Sequence, residues 1–266
     1  MAGLMNVRDP LRVIQSGNLR VRVYPDRKRA GEEAAAGVSE KLASLLSAQP
    51  VVRMVFAAAP SQNEFLAALA SSRGIDWRRV TAFHMDEYLG LEEDAGQLFS
   101  TYLARKIFGI VPFGKVHIIS SRPKDAAAEC RRYALLLGEA PIDIVCLGIG
   151  ENGHIAFNDP HVADFNDPLP VKVVMLDDRS RLQQVHDGCF SRIEDVPREA
   201  ITLTIPALCS GRSLSVVVPG PTKAEAVYRT LTGTIDATCP ATVLRTHGDS
   251  TMYIDSDAAA KLQKLQ

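Results

Sequence analysis

A glycine-rich turn carries the residues best suited to chemistry in this chain of 266 residues. The turn occupies residues 148–160, with the sequence GIGENGHIAFNDP, and follows the apolar segment 142–147. That segment is typical of a buried parallel strand. His154 has a side chain suited to proton transfer near neutral pH, and Asp159 follows it in the same turn. Since ligands of open α/β sheets lie beyond the carboxyl ends of the strands, the turn predicts a catalytic site there.

The glycines alone are also compatible with a simpler interpretation. A glycine-rich turn after a strand is common in α/β proteins, and a single histidine there is often structural or exposed to solvent. The glycine spacing fits GxGxxG, but Asn158 and Pro160 interrupt the helix that a dinucleotide-binding fingerprint requires. The informative feature is therefore the complete string rather than its glycines.

This string resembles the signature of the glucosamine-6-phosphate deaminase family, G-x-G-x-[DN]-G-H-[IL]-[AG]-F-N-[ED]-P. A second string, FHMDEYLGL at residues 83–91, is similar to that family's F-x-M-D-E-Y-x-G-L. A third, VPGPTKA at residues 218–224, is similar to a strand-loop-Lys-Ala segment of the family. The strings occur in family order, and the resemblance covers the chain from about residue 20 onward. It implies that glucosamine 6-phosphate and water are converted to fructose 6-phosphate and ammonia.

The resemblance also implies catalytic roles for individual residues. Asp86 stands at the position of the catalytic base, which moves a proton from C2 to C1 of the sugar. His154 matches the ring-opening histidine. Asn152 and Asp159 replace two carboxylates that usually accompany it, so we expect a changed rate or sugar preference. Without this context, Asp86 and Glu87 also fit a solvated acidic turn or a cap on the following helix.

Phosphate binding is assigned to a second group of residues. Lys223 matches the family's phosphate lysine and Arg181 its phosphate arginine, with Arg179 as the alternative. Many relatives carry a Gly-Gly-Thr-Pro loop where this chain has AAPSQ at residues 58–62, whose amides can still bind an anion at a helix N-terminus. Each charged side chain also fits a solvated surface position. Further substrate contacts are expected from Ser61, Gln62, Glu87 and Gly153.

Two other functions stay open on the sequence. A 6-phosphogluconolactonase, which is a hydrolase, shares the fold and a related G-x-G-x-D-G-H string. It does not typically carry Phe-Asn after the histidine or the sequence MDEY found at residues 85–88. A non-catalytic sugar-phosphate sensor would keep Lys223 and Ser61 but would not need Asp86 and His154. The presence of both favours the deaminase.

Composition indicates an ordinary soluble globular protein. The chain is 46% hydrophobic and 23% charged with a formal net charge of -1, which gives no reason to expect nucleic acid or a membrane as partner. The five cysteines are scattered without a C-x-x-C pair, which argues against a disulfide framework or a zinc site. The six histidines show no H-E-x-x-H spacing, so we expect no metal. We expect a cytoplasmic enzyme of a phosphosugar without a cofactor, and leave a homo-oligomer open.

Strands and helices alternate along the chain, and they must position these residues. The alternation predicts a three-layer αβα domain with a mainly parallel, Rossmann-like sheet. Asp86 and His154 are expected at the carboxyl ends of neighbouring strands, facing one pocket. Strands are predicted at residues 19–24, 51–58, 80–83, 116–119, 142–147, 171–176, 200–205, 213–218 and 251–254, and helices at 26–48, 62–72, 97–109, 124–138, 221–232 and 256–265.

The domain limits follow from the same pattern. Residues 1–18 are predicted to form a weakly ordered N-terminal extension, and residues 19–266 a single domain. Within it, residues 161–198 contain several helix breakers and polar residues. Long irregular segments of this kind often form lids, so we expect a lid over the active site at about 161–198. The stretch 177–197 is expected to be irregular throughout.

Overall fold

An eight-stranded sheet forms the centre of the computed structural model, which describes residues 9–264. Its strands are Arg12–Ser16 (β1), Leu19–Tyr24 (β2), Val52–Phe56 (β3), Val80–His84 (β4), Lys115–His117 (β6), Ile144–Leu147 (β7), Ser213–Val217 (β10) and Ser250–Asp255 (β11). Their order is β1-β2-β11-β10-β7-β3-β4-β6. Only the β1–β2 pair is antiparallel in the described part of this sheet, and the other pairs are parallel.

A second, smaller sheet lies beside the first. It contains Asp86–Tyr88 (β5), Val171–Met175 (β8) and Glu199–Leu203 (β9), paired antiparallel in the order β5-β9-β8. The chain passes from β4 of the main sheet into β5 of the small sheet at Met85. The backbone of Met85 forms a hydrogen bond with each sheet: its N–H donates to the carbonyl of Phe56 in β3 (3.3 Å), and its carbonyl accepts from the N–H of Leu203 in β9 (2.8 Å). This junction fixes the backbone next to Asp86.

Helices cover both faces of the main sheet, which confirms the predicted three-layer architecture. The helices are Arg27–Ala48 (α1), Asn63–Ala70 (α2), Phe99–Leu103 (α3, continued by the π-helical turn Ala104–Phe108), Ala126–Gly138 (α4), Asp178–His186 (α5), Ile205–Cys209 (α6) and Ala224–Thr232 (α7). The strands contribute to both hydrophobic cores because successive side chains point to opposite faces: Met54 packs with α1 and α2, and Val55 packs with α4 and α7. None of the helices between residues 9 and 264 is both long and apolar enough to cross a bilayer.

Aspartates begin three of these helices. Asp26 accepts a hydrogen bond from Arg29 N at the start of α1, and Asp125 accepts one from Ala127 N at the start of α4, both at 2.8 Å. Asp177 does the same for α5 through Ser180 N, at 2.7 Å. Each carboxylate satisfies a backbone donor that has no partner within its helix.

Two predictions at the chain ends are wrong. The segment 12–16 is not a loose extension, because it pairs with β2 along its whole length and alternates between half-buried and exposed residues. Residues 1–8 lie outside the described residues. The predicted terminal helix at 256–265 is a turn followed by the 3-10 helix Ala260–Lys264, with residue 265 outside the described residues.

The expected irregular lid also needs correction. The stretch 161–198 contains the strand β8 and the two-and-a-half-turn helix α5. The sequence does not indicate this helix, because most of its residues are polar and the side chains that it buries are polar or charged. The apolar spacing of an amphipathic helix is therefore absent.

Candidate active site

A small cavity lies at the carboxyl ends of the central strands. Asp86, His154 and Lys223 line it together, and its volume is about 60 Å³. Asp86 follows β4 and His154 follows β7, but β3 lies between these two strands. The expectation of one shared pocket is therefore met, whereas the expectation of neighbouring strands is wrong. The other walls are the loop after β3, the glycine turn and the helix α5.

Two glycines allow the turn to hold His154 in place. A Cβ atom at Gly150 would lie 2.2 Å from the imidazole ring of His154, so any side chain there would displace the ring. Gly153 has a φ of +89° and packs against Cys239, whose Sγ would lie 2.5 Å from an added Cβ. Gly153 was expected to contact the substrate, but it is not among the residues that line the cavity. Both glycines therefore act through the shape of the turn.

His154 is held from one side by a buried carboxylate. Its Nδ1 atom lies 3.0 Å from Oδ1 of Asp159 and 2.9 Å from Oγ of Ser180. The Ser180 hydroxyl also donates a hydrogen bond to Asp159. An Nδ1–H group directed at this carboxylate leaves Nε2 of the neutral imidazole without a proton, and His154 lines the cavity. The arrangement gives the imidazole a proton acceptor at the cavity.

Asn152 supports this group without touching the ring. Its Nδ2 donates to Oδ1 of Asp159 at 2.9 Å, and its Oδ1 accepts from the backbone N of His154 at 3.0 Å. Burial alone would raise the pKa of Asp159, but the hydrogen bonds from His154, Asn152 and Ser180 and the nearby imidazole hold this pKa at about 2. Asp159 is therefore ionised across the physiological pH range.

Asp86 presents a free carboxylate to the cavity. The side chain is buried, and it accepts no hydrogen bond from the part of the chain that the structure describes. Burial, reinforced by the neighbouring charge of Glu87, raises the pKa of Asp86 well above its usual value. A carboxylate whose pKa is raised in this way is a better proton acceptor than an exposed aspartate.

Glu87 points away from the cavity and caps α3. Its carboxylate accepts hydrogen bonds from the backbone N–H groups of Tyr88, Phe99 and Ser100 and from the Ser100 hydroxyl, at 2.7–3.0 Å. Glu87 is fully buried and does not line the cavity. The expected substrate contact is thus replaced by the alternative of a helix cap. The reason is the period of two along β5, which directs Asp86 and Glu87 to opposite sides.

Lys223 is the only one of the three predicted phosphate cations that lines the cavity. Burial lowers its pKa, and the nearby charges of Asp187 and Glu151 oppose this effect. Within residues 9–264, Lys223 forms no ion pair, so its ammonium group is available to a ligand.

The two arginines lie elsewhere. Arg181 is buried, donates to the carbonyl oxygens of Ile193 (2.6 Å) and Val196 (3.2 Å), and pairs with Asp178 at 3.0 Å. It fastens α5 to the following turn, and its donors are occupied. Arg179 is exposed on α5 and does not line the cavity.

Ser61 and Gln62 both line the cavity, as expected. The Nε2 group of Gln62 donates to the carbonyl of Val217 at 3.0 Å and to Oγ of Ser61 at 3.2 Å. Gln62 therefore ties the loop after β3 to the end of β10, close to Lys223.

Three residues of α5 reach the site and were not predicted. Ser180 contacts His154, while Gln183 and Gln184 line the cavity. Gln183 also accepts a hydrogen bond from Glu151 N at 2.8 Å, which joins α5 to the glycine turn. Their spacing of three and four residues places them on one helix face. The spacing in the sequence indicates a shared face only if the segment is a helix.

One group near the site has the spacing of metal ligands. Single ligand atoms of Asp159, His161 and Asp177 lie within 4.8 Å of one another. Asp159 is already bound to His154, and Nε2 of His161 lies 3.0 Å from the carbonyl of Met175. These contacts hold Asp159 and His161 in place without a metal.

The geometry can be compared with known proteins. The model of the family of glucosamine-6-phosphate isomerases and 6-phosphogluconolactonases matches residues 25–253. The chain belongs to this family. Among its members, the glucosamine-6-phosphate deaminase of Listeria innocua is 35% identical over 240 residues, which cover 90% of this chain and 99% of the relative. The deaminase of Bacillus thuringiensis is 36% identical over 184 residues, covering 69% of this chain and 68% of the relative.

Solved structures of the family share the fold. A monomeric glucosamine-6-phosphate deaminase superposes with a TM-score of 0.82 at 29% identity, covering 90% of this chain and 98% of its own. The 6-phosphogluconolactonase of Thermotoga maritima superposes with a TM-score of 0.72 at 18% identity, covering 89% and 99%. The second similarity extends to the fold alone.

Proposed function

We propose that this protein converts glucosamine 6-phosphate and water to fructose 6-phosphate and ammonia. The observation that carries the proposal is the meeting of a free carboxylate, Asp86, and a carboxylate-supported imidazole, His154, at one cavity with Lys223. The names of the relatives support the same reaction, since several deaminases match nearly the whole chain.

Ring opening is the first chemical task, and His154 performs it. Its Nε2 atom accepts the proton of the anomeric hydroxyl, and the imidazolium then returns a proton to the ring oxygen as the C1–O5 bond breaks. Asp159 stabilises the imidazolium through Nδ1, at 3.0 Å. The open-chain amino aldose is the product of this step.

Proton transfer is the second task, and Asp86 performs it. The carboxylate removes the proton from C2 while the C1 carbonyl oxygen takes up the proton that the ammonium group loses, which gives an enolamine. Asp86 then returns its proton to C1, which leaves a C=N bond at C2. Water then adds to C2 and the nitrogen is protonated. The C–N bond breaks, which releases ammonia and forms the ketone at C2. The raised pKa of Asp86 makes the carboxylate a stronger base than an exposed aspartate.

Substrate entry requires movement of α5 in this proposal. The cavity of about 60 Å³ is much smaller than the ~300–1,000 Å³ typical of small-ligand sites. Gln183 and Gln184 close it from the α5 side. We infer that α5 is the part of the predicted lid that moves, while Lys223 and the amides of the loop after β3 hold the phosphate.

A lactonase is the competing function, and a substrate panel separates the two. Lactone hydrolysis needs one base to activate water, a task that His154 can perform, and moves no proton at C2, so it does not require Asp86. Purified protein is offered glucosamine 6-phosphate, galactosamine 6-phosphate and 6-phosphogluconolactone, and ammonia and acid release are measured. The proposal predicts ammonia from glucosamine 6-phosphate, lost in Asp86→Asn and kept in the matched exposed control Asp94→Asn. Release of acid from the lactone without ammonia from either amino sugar would show that the protein is a lactonase instead.

A further inference from the structure

A second cavity lies at the amino-terminal ends of the strands of the main sheet, opposite the candidate active site. Its volume is about 530 Å³, within the ~300–1,000 Å³ typical of small-ligand sites. It opens at the amino ends of β3, β4 and β6, and the active site lies at the carboxyl ends. Since β3 spans five residues, roughly 16 Å of strand separates the two.

Positive side chains outnumber negative ones around this cavity. His117 also lines it, and burial lowers the pKa of this imidazole, so the ring is neutral at neutral pH. The lining therefore carries two positive charges in excess at that pH. The cations are Arg53, Arg78, Lys115 and Arg212, and the carboxylates are Glu139 and Asp143.

Two of the four cations are committed to the protein itself. Arg53 is buried and donates to three backbone carbonyl groups at and just beyond the end of α4. Arg212 pairs with Asp143 at 3.0 Å. By contrast, the side chains of Arg78 and Lys115 form no ion pair or hydrogen bond with any residue that the structure describes. Asp143 offsets the charge of Arg212, and Glu139 lies near enough to Arg53 to favour its charged form. The two positive charges in excess are therefore those of Arg78 and Lys115.

The backbone holds these two side chains on one rim. The N–H group of Gly114 is shared between the carbonyl oxygens of Trp77 (3.1 Å) and Val80 (3.0 Å). This contact ties the start of β6, where Lys115 lies, to the turn that carries Arg78. Their proximity is therefore a property of the fold rather than of flexible side chains meeting by chance.

We propose that this cavity binds a small metabolite that carries a phosphate monoester, through Arg78 and Lys115. A phosphate monoester is close to a dianion at neutral pH, which matches the two uncommitted charges. The planar guanidinium of Arg78 offers paired donors to phosphate oxygens, and the ammonium of Lys115 adds a point charge. The charges line a cavity instead of an extended face, which favours a small anion over nucleic acid.

The test follows backbone amide signals by ¹H–¹⁵N NMR during titration with inorganic phosphate. The protein carries Lys223→Ala, so that phosphate binding at the candidate active site is weakened and the result does not depend on the proposed deamination. We expect a saturable shift of the Gly114 amide, with a dissociation constant about tenfold or more higher after Arg78→Ser and Lys115→Ser. The control pair Arg73→Ser and Lys124→Ser changes the charge equally at exposed positions outside the cavity.

Three results would overturn the proposal. The first is a Gly114 signal that does not move in a saturable way. The second is an equal shift with sodium chloride at the same ionic strength, which would indicate screening alone. The third is an unchanged dissociation constant in the Arg78→Ser, Lys115→Ser variant, whose fold the same spectra report.

Discussion

Nδ1 of His154 lies 3.0 Å from Oδ1 of the fully buried Asp159. This contact sets which nitrogen of the imidazole carries a proton, and hence which one serves the cavity. It also places a short aspartate where a longer glutamate is usual in the resembled family. Ser180 spans the difference, because its hydroxyl contacts both partners.

Asp159→Asn should lower kcat about 100-fold, because an amide does not stabilise the imidazolium and favours no single tautomer. The same variant tests the low pKa of Asp159. The pKa of Asp159 is about 2 in the folded protein, against 3.8 for an unperturbed aspartate. The ionised carboxylate therefore stabilises the fold above pH ~4, and this contribution is lost as the pH falls through ~2. The stability gap between wild type and variant, measured by urea unfolding, should therefore shrink from pH 5 to pH 2. A gap that stays constant would contradict the ionised pairing.

Asp86→Asn should abolish turnover and yet raise the melting temperature at pH 7. Burial raises the pKa of Asp86 in the folded state, so the unfolded chain loses this proton first and the folded state loses stability as the pH rises from ~4 to the folded pKa. A neutral amide of similar volume removes this loss. In the wild type, kcat/KM should fall as pH decreases through the same pKa, above the ~4 of an exposed aspartate. Calorimetry and a pH–rate profile measure the two effects. If Asp86→Asn kept the turnover of the wild type, Asp86 would not be the base.

Gly150→Ala should reduce kcat about 100-fold or more while the protein still folds. The new methyl group would lie 2.2 Å from the imidazole, so the ring of His154 must leave its position beside Asp159. Gly138→Ala is the matched control, because a Cβ there meets nothing within 4 Å. Circular dichroism confirms the fold of both variants, and the account fails here if Gly150→Ala retains wild-type kcat.

Glu87→Gln should destabilise the protein by about 1–3 kcal/mol, because one carboxylate satisfies four donors in a dry site and an amide places an N–H group against some of them. Urea unfolding measures the loss, with the exposed Glu93→Gln as control. The KM should change little, since Glu87 does not line the cavity. A large rise in KM with unchanged stability would restore Glu87 as a substrate contact.

The adjacent pair Asp86 and Glu87 shows what the sequence predicts and where it stops. The string that contains them predicts a site at the end of β4, and Asp86 lines a cavity there. Which carboxylate faces that site depends on the register of β5 against β9, and a shift of one residue would exchange the two side chains. Sequence periodicity does not determine that register for a strand of three residues.

Helix α5 shows a second limit. Its apolar pattern is weak, so Ser180, Gln183 and Gln184 were missed, and Arg181 was expected at the cavity. The structure directs Arg181 to the carbonyl oxygens of the following turn instead. The parallel sheet was easier to predict, since buried strands such as Ile144–Leu147 are continuously apolar and alternate with longer helices.

The central claim is that Asp86 moves a proton between C2 and C1 during release of ammonia. The direct test incubates glucosamine 6-phosphate with the protein in D₂O and follows the products by NMR together with an ammonia assay. We predict equal amounts of ammonia and fructose 6-phosphate, with deuterium at C1 in part of the product, because a proton held by Asp86 exchanges with solvent. Neither product should form with Asp86→Asn. Wild-type protein that forms no ammonia, or a variant that forms both products at the wild-type rate, would contradict the account.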